Sequence, residues 1–207
     1  MFSVSSVAFL IFTRYSVKDI KIGAAQFEAK DADKAFNLTR IDDLTGQAIA
    51  AGAEVVSFHE CCIPGYTFLQ ELSRERLLEL AEPVPDGPST QALIELSRKH
   101  GVPLMAGLVE VDGDRMYNTY VAVTADGFLA KHRKLHAFIS PHIDSGDDFT
   151  VFDLLDCRCG ILICYDNNLP ENVRITAMMG AEIIFMPHVT CGLPSAMPGR
   201  GIIDRAL

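Results

Sequence analysis

Apolar positions along this chain switch between two spacings, and the switches mark out its elements. Residues 20–27 and 55–58 read as strands, the second a buried one. Between them Leu38, Ile41, Leu44 and Ala48 recur at spacings of three, three and four, the period of an amphipathic helix that Gly52 stops. A second helix is expected over residues 69–81. Ser89 is placed to N-cap a third helix, in which Leu93, Leu96 and His100 share a face and after which Gly101 ends the pattern. Residues 102–111, 116–124 and 128–134 read as strands separated by Asp112-Gly113 and Asp126-Gly127, strong hairpin signals, so this stretch should be antiparallel. Residues 159–164 form a further strand. Pro170 and Glu171 then open a helix with the proline and the acid its first turn prefers, Gly180 closes it, and residues 183–186 are the next strand.

Strands alternating with helices, with a meander in the middle, indicate an α/β layered fold containing a mixed sheet. No repeat, low-complexity tract or linker divides it. At 207 residues, 49% hydrophobic and 22% charged, the chain is expected to fold as one domain with a sizeable core. A net charge of -9, with no basic stretch interleaved with aromatics, argues against a nucleic-acid partner. The apolar run at residues 7–12 is too short to span a bilayer, and no positive charge precedes it as a signal peptide requires, so no membrane partner is expected. Residues 1–19 are read as an N-terminal extension and residues 20–207 as the domain. Six cysteines, at 61, 62, 157, 159, 164 and 191, without a secretory signal fit reduced thiols in the cytoplasm.

Three segments carry candidate chemistry. Glu60 closes the second strand before the Pro64-Gly65 turn, Lys134 ends the meander, and Cys164 ends the run Gly160-Ile161-Leu162-Ile163-Cys164-Tyr165-Asp166. A thiol is only a few per cent ionised at neutral pH, so a nucleophilic cysteine needs a base or a cation beside it. Glu60 and Lys134 offer one of each. All three follow apolar or β-rich runs, and strand ends of one sheet can converge at one edge. Strand alternation also makes Lys134 face the side opposite to Arg133. A cysteine in an apolar run is ordinarily a small core residue, and Cys61, Cys62, Cys157, Cys159 and Cys191 are read that way. Cys191, however, follows the strand after the nucleophile's helix, a position beside the site. Glu171 and Arg174 are read as a surface ion pair. No Cys-x-x-Cys or His-x-x-x-His spacing completes a metal site, and none is expected.

These segments resemble the Glu-Lys-Cys motifs of the nitrilase superfamily, the carbon-nitrogen hydrolases, over residues 20–207. The resemblance rests on Glu60 with Pro64-Gly65-Tyr66, on Arg133-Lys134-Leu135-His136, and on Cys164-Tyr165-Asp166 with Leu169-Pro170-Glu171 and Arg174. Tyr117-Asn118, Asp126-Gly127 and Gly180-Ala181-Glu182-Ile183 add to it. It implies a four-layer α-β-β-α sandwich with mixed sheets, no cofactor, and a homo-oligomer. It also implies that Cys164 attacks an amide, carbamoyl or nitrile carbon of a small-molecule substrate, Glu60 serves as base, and Lys134 with the Tyr165 backbone N–H stabilises the oxyanion. Tyr66, Asp144, His142 and His188 are candidate substrate contacts.

Two departures from the pattern bear on function. Many members carry a second glutamate between the lysine and the cysteine; residues 138–147 contain none, so Asp144 or His142 would take that role, or the role is absent. The family pattern also runs through further strands and a helix beyond Leu207, so the C-terminal part of the domain is expected to be missing. The leading expectation is a thiol-dependent hydrolase of small linear amides or N-carbamoyl compounds, releasing ammonia or amine from a Cys164 thioester. The alternative is a catalytically weak or inactive homologue acting as a binding or assembly subunit; a zinc protein built on the spare cysteines is the third.

Overall fold

Side-chain alternation along the strands decides how the layers of this protein stack. The computed structural model describes residues 19–189. A five-stranded sheet contains β1 (Ile22–Ala24), β2 (Val55–Ser57), β3 (Leu104–Asp112), β4 (Arg115–Thr124) and β5 (Gly127–Arg133), in that spatial order. The first three strands are parallel, and β3 to β5 form the antiparallel meander that the two Asp-Gly turns predict. A second, three-stranded sheet has β6 (Thr150–Leu154) antiparallel to β7 (Cys157–Ile161) and β7 parallel to β8 (Ile183–Phe185).

On β3, Leu104, Ala106 and Leu108 join Val121 and Val123 of β4 against two helices, α1 (Lys34–Ala50) and α3 (Pro88–His100), which contribute Ile41, Leu93 and Ile94. Met105, Tyr120 and Ala122 point the other way, onto Phe152, Leu154, Cys159, Ile161 and Phe185 of the second sheet. Helix α4 (Pro170–Met178) covers the outer face of that sheet: a Cβ on Gly160 of β7 would collide with the buried Thr176 of α4. Helix, sheet, sheet, helix is the four-layer α-β-β-α sandwich, with both sheets mixed. Among the described residues no helix is long and apolar enough to cross a membrane. A third apolar cluster, with Cys61, Tyr66, Leu69, Val109, Met116 and Ile143, fills the end of the first sheet beneath the loop after β2.

Several element boundaries differ from the sequence expectation, each for a local reason. Strand β1 is shorter than residues 20–27 because its partner β2 has only three paired positions; beyond Ala24 one further backbone bond follows, from the Ala25 N–H to the Ser57 carbonyl at 2.9 Å. The helix expected over residues 69–81 breaks into a 3-10 turn, Thr67–Glu71, and α2 (Arg74–Leu80), whose N-cap Ser73 accepts from the Arg76 N–H at 3.4 Å. Ser89 does not cap α3. Gly87 is the N-cap and Pro88 the first helical residue, while the Ser89 hydroxyl and N–H both donate to the buried Glu82 carboxylate at 2.8 and 2.7 Å. Strand β6 was not expected at all. Its hairpin to β7 turns through Leu155 and Asp156, both left-handed at φ 53° and 60°, the geometry of a type I′ turn without its usual Asn-Gly signature. Glu171 and Arg174 do not pair; the Arg174 guanidinium lies 3.6 Å from Met178 Sδ.

Candidate active site

Strand direction brings the three chemical segments to one end of the molecule. Strands β2 and β5 run the same way, because two antiparallel steps separate β3 from β5, and the paired strands β7 and β8 are parallel. Glu60 follows β2, Lys134 follows β5 directly, Cys164 follows β7, and Val189 follows β8. The sandwich brings these ends together across the two sheets.

The turn carrying Glu60 passes directly over β3. Cys61 takes a left-handed φ of 45°, and a Cβ on Gly107 would collide with the Cys61 backbone nitrogen, so only glycine lets the turn sit this close. Glu60 is fully buried and Lys134 is 1% exposed. Lys134 Nζ donates to Glu60 Oε1 at 2.6 Å. Arg133 points away, to Glu110 and Asp112 across the ring of Tyr117, as strand alternation requires. The Lys134 ammonium also lies 4.7 Å from the Phe138 ring centre and 5.7 Å from that of Tyr66, aromatic faces that favour a cation.

Cys164 opens a 3-10 turn, Cys164–Asn168, in a left-handed conformation with φ 51°. Such strain in a residue with a side chain persists where the surroundings over-determine it, and here they do. The Cys164 N–H donates to the Pro187 carbonyl at 2.9 Å, and the Asn167 amide donates to the carbonyls of Leu162 and Cys164. The fully buried Asp166 accepts from the backbone N–H groups of Ile163 at 3.1 Å, Leu135 at 3.2 Å and His136 at 2.9 Å. One carboxylate thus ties the cysteine turn to the segment following Lys134. Burial raises its pKa, but the His132 ring 3.6 Å away and the hydrogen bonds from these three amides hold it below the usual range.

The Cys164 thiol lies within electrostatic reach of both Glu60 and Lys134, and the Val189 N–H donates to Glu60 Oε2 at 3.3 Å. Burial pushes the thiol up to about 11, the Glu60 charge adds to this, and the Lys134 charge opposes it. The thiol therefore rests protonated beside a carboxylate able to accept its proton. Among the described cysteines Cys164 alone is partly exposed. Tyr165 is 45% exposed, its ring edge-on to those of Phe138 and His136.

A sequence profile of the carbon-nitrogen hydrolase family matches residues 21–201. This chain belongs to the carbon-nitrogen hydrolase family. It is 35% identical over 191 residues to a nitrilase of Pyrococcus abyssi, spanning 90% of this chain and 72% of that protein. An (R)-stereoselective amidase of a Pseudomonas species is 35% identical over 172 residues, 82% of this chain and 60% of the relative. Among solved structures, Saccharomyces cerevisiae Nit3, a member of branch 10 of the nitrilase superfamily, superposes with a TM-score of 0.71 at 28% identity, covering 81% of this chain and 64% of that one. The present chain thus spans about three-fifths of the amidase and of the yeast protein.

In this carbon-nitrogen hydrolase the remaining expected site residues fall in different places. Tyr66 packs against the Lys134 ammonium, inside the site. Asp144 does not take the place of a second glutamate beside the lysine: its backbone pairs with β4 through the Met116 carbonyl, and its carboxylate faces Arg115 at 3.4 Å. His142 caps back onto the Ser140 hydroxyl through its backbone N–H. His188 lines a separate hollow of about 410 Å³ with Gln26, Ser57, His59 and Met186, which none of Glu60, Lys134 and Cys164 lines. Cys191 and residues 1–18 lie outside the described residues. Among the described residues no group of three His, Cys, Asp or Glu side chains forms a cage for a metal ion.

Three site residues were not assigned from sequence: Asn118, Asp166 and Val189. Asn118 and Asp166 stood within quoted motifs, and a polar residue in an otherwise apolar or β-rich run was the available signal. Val189 contributes only its backbone and gave none.

Proposed function

We propose that this chain is a thiol-dependent hydrolase of non-peptide carbon–nitrogen bonds, acting on a small linear amide or N-carbamoyl compound with Cys164 as nucleophile. The observation that carries the reading is the buried Lys134–Glu60 pair at 2.6 Å with the Cys164 thiol close enough for that carboxylate and ammonium to act on it. It supplies a base, a cation and a nucleophile at one point.

The geometry divides the labour. Glu60 Oε1 is occupied by Lys134 at 2.6 Å and by the Asn118 amide at 2.7 Å, so Oε2 is the oxygen left to take the thiol proton. As that proton moves, sulfur attacks the carbonyl carbon and the C=O electron pair moves to oxygen. The Lys134 ammonium and the Tyr165 backbone N–H, at the start of the 3-10 turn, would hold this oxyanion; one such donor is typically worth roughly 3–4 kcal/mol. Collapse re-forms the carbonyl and breaks the C–N bond while Glu60 returns its proton to the departing nitrogen, leaving ammonia or an amine and a Cys164 thioester. Water then gives a proton to Glu60, adds to the thioester and expels the sulfur, which recovers the proton as the acid leaves. A thiol held near 11 suits this sequence, because it loses its proton only as it attacks.

Phe138, Tyr165 and His136 form an aromatic rim beside the cysteine turn, which supports a compact, uncharged acyl group. The names of the relatives, nitrilase and (R)-stereoselective amidase, support the same bond class. The test is a panel of short amides, N-carbamoyl amines and nitriles read by ammonia or amine release. Release by the wild type and its loss in Cys164→Ala is the expected result. No release from any compound would overturn the proposal and leave the binding or assembly subunit.

A further inference from the structure

Asn118 sits in the middle of β4 with its side chain 1% exposed, at the point where the Glu60 turn crosses the sheet. Its Nδ2 donates to Glu60 Oε1 at 2.7 Å, and its Oδ1 lies 3.3 Å from the buried Cys61 thiol. These two neighbours fix which end of the amide is which. An ionised carboxylate only accepts, so the nitrogen must face Glu60; the S–H can donate, so the oxygen faces Cys61. The Asn118 carbonyl further receives the Lys134 N–H at 2.8 Å, so one residue touches the turn of the base and the backbone of the cation.

Resting on the mechanism proposed above, we infer that Asn118 is a positioning residue that selects which Glu60 oxygen acts as the base. With Lys134 it saturates Oε1, and Oε2, which meets the Val189 N–H at 3.3 Å, is left to take the Cys164 proton. Cys61 serves it in turn: its thiol keeps the amide from flipping, which would set carbonyl oxygen against carboxylate oxygen. This gives Cys61 a polar function beyond filling the third core cluster. Without Asn118, Oε1 would keep a single donor and the carboxylate would be free to rotate about the lysine contact. Hydrogen bonds to a buried charge are among the strong ones, and a carboxylate stripped of such a donor takes up a proton more readily.

The charged and titratable groups facing Glu60 are Lys134 from the end of β5, Cys164 from the end of β7, and Cys61 and His59 from its own turn. Asn118 itself does not titrate, so its removal acts on the pH profile only through these groups. A merely structural residue would lower the folded fraction without moving that profile.

The experiment compares wild type, Asn118→Ala and Cys61→Ala in two measurements across pH: kcat and KM for an amide found active in the panel, and the rate of Cys164 alkylation by iodoacetamide, located by peptide mapping. For Asn118→Ala the expected result is a loss of about tenfold to a hundredfold in kcat with KM little changed. The acid limb of both profiles should move to higher pH by roughly one unit. Cys61→Ala should move the limb the same way by less, and it reads the proposal if Asn118→Ala does not fold. An acid limb that stays in place in the folded variants, or a loss confined to KM, would overturn the assignment. Alkylation needs no substrate. A wild type that is alkylated at Cys164 but hydrolyses nothing would therefore defeat the proposed function while still testing Asn118.

Discussion

At neutral pH the Cys164 sulfur holds its proton, because burial and the nearby Glu60 charge outweigh the lysine that would stabilise a thiolate. In the proposed mechanism its reactivity thus depends on the company of the residue and not on its own acidity, which separates it from cysteines activated by a lowered pKa. The same company makes Lys134 a structural residue as well. Its ammonium is bonded to the fully buried Glu60 carboxylate, and removing one partner of such a pair costs about 3–5 kcal/mol because the other is left uncompensated. Lys134→Ala should therefore lower unfolding free energy by about that amount in urea titrations while also abolishing turnover; a variant as stable as wild type would contradict the pairing. Glu60, Lys134 and Cys164 were legible in the sequence because each closes a β-rich run with a residue that such runs seldom end on. Asn118 and Asp166 were visible only as members of motifs. Their roles depend on neighbours far along the chain, Glu60 for the first and the Leu135 and His136 amides for the second, and spacing does not encode that.

Elements that carry the site are packed against one another at contacts too close for a methyl group. The clearest is Gly107 of β3 under the Glu60–Cys61 backbone. Gly107→Ala must push that turn outward, at a cost of about 1–3 kcal/mol for overpacking, and the displaced base should reduce kcat by roughly a hundredfold. Gly46→Ala is the contrasting case: it lies within α1, the nearest atom outside the helix is a flexible His100 ring carbon at 3.7 Å, and a gain of about 0.5–1 kcal/mol is expected from helix propensity. Thermal melts and amide turnover of the two variants check both statements; equal behaviour would contradict the close approach at Gly107. Element type was readable wherever a period or an Asp-Gly turn was strong, as in α1 and the β3–β5 meander. It failed where tertiary contacts decided. Strand β6 pairs through a left-handed Leu155-Asp156 turn that has no sequence signature, and Ser89 is drawn from a capping role by the buried Glu82.

Across the whole molecule the buried thiols set the alkaline limit of stability. Burial raises Cys164 from an ordinary value of 9.0 to about 11, and Cys62 and Cys159 to about 12. A group whose pKa is raised on folding stabilises the fold fully below its unfolded value and progressively less as pH climbs toward its folded value. The melting temperature should accordingly hold up to about pH 9 and fall between about pH 9 and 12; a flat profile over that interval would contradict the burial of these thiols. The sandwich itself explains why the proposed site exists only in the assembled fold: Glu60 and Lys134 come from one sheet and Cys164 from the other, and Asp166 ties the Cys164 turn to the segment after Lys134. The most direct test of that arrangement is to quench the protein in acid during turnover of an amide and locate the bound acyl group by mass spectrometry of its peptides. The account predicts a thioester on Cys164 in the wild type, reduced to background in Glu60→Gln and Lys134→Ala. An acyl group on any other cysteine, or amide hydrolysis that survives Cys164→Ala, would contradict it.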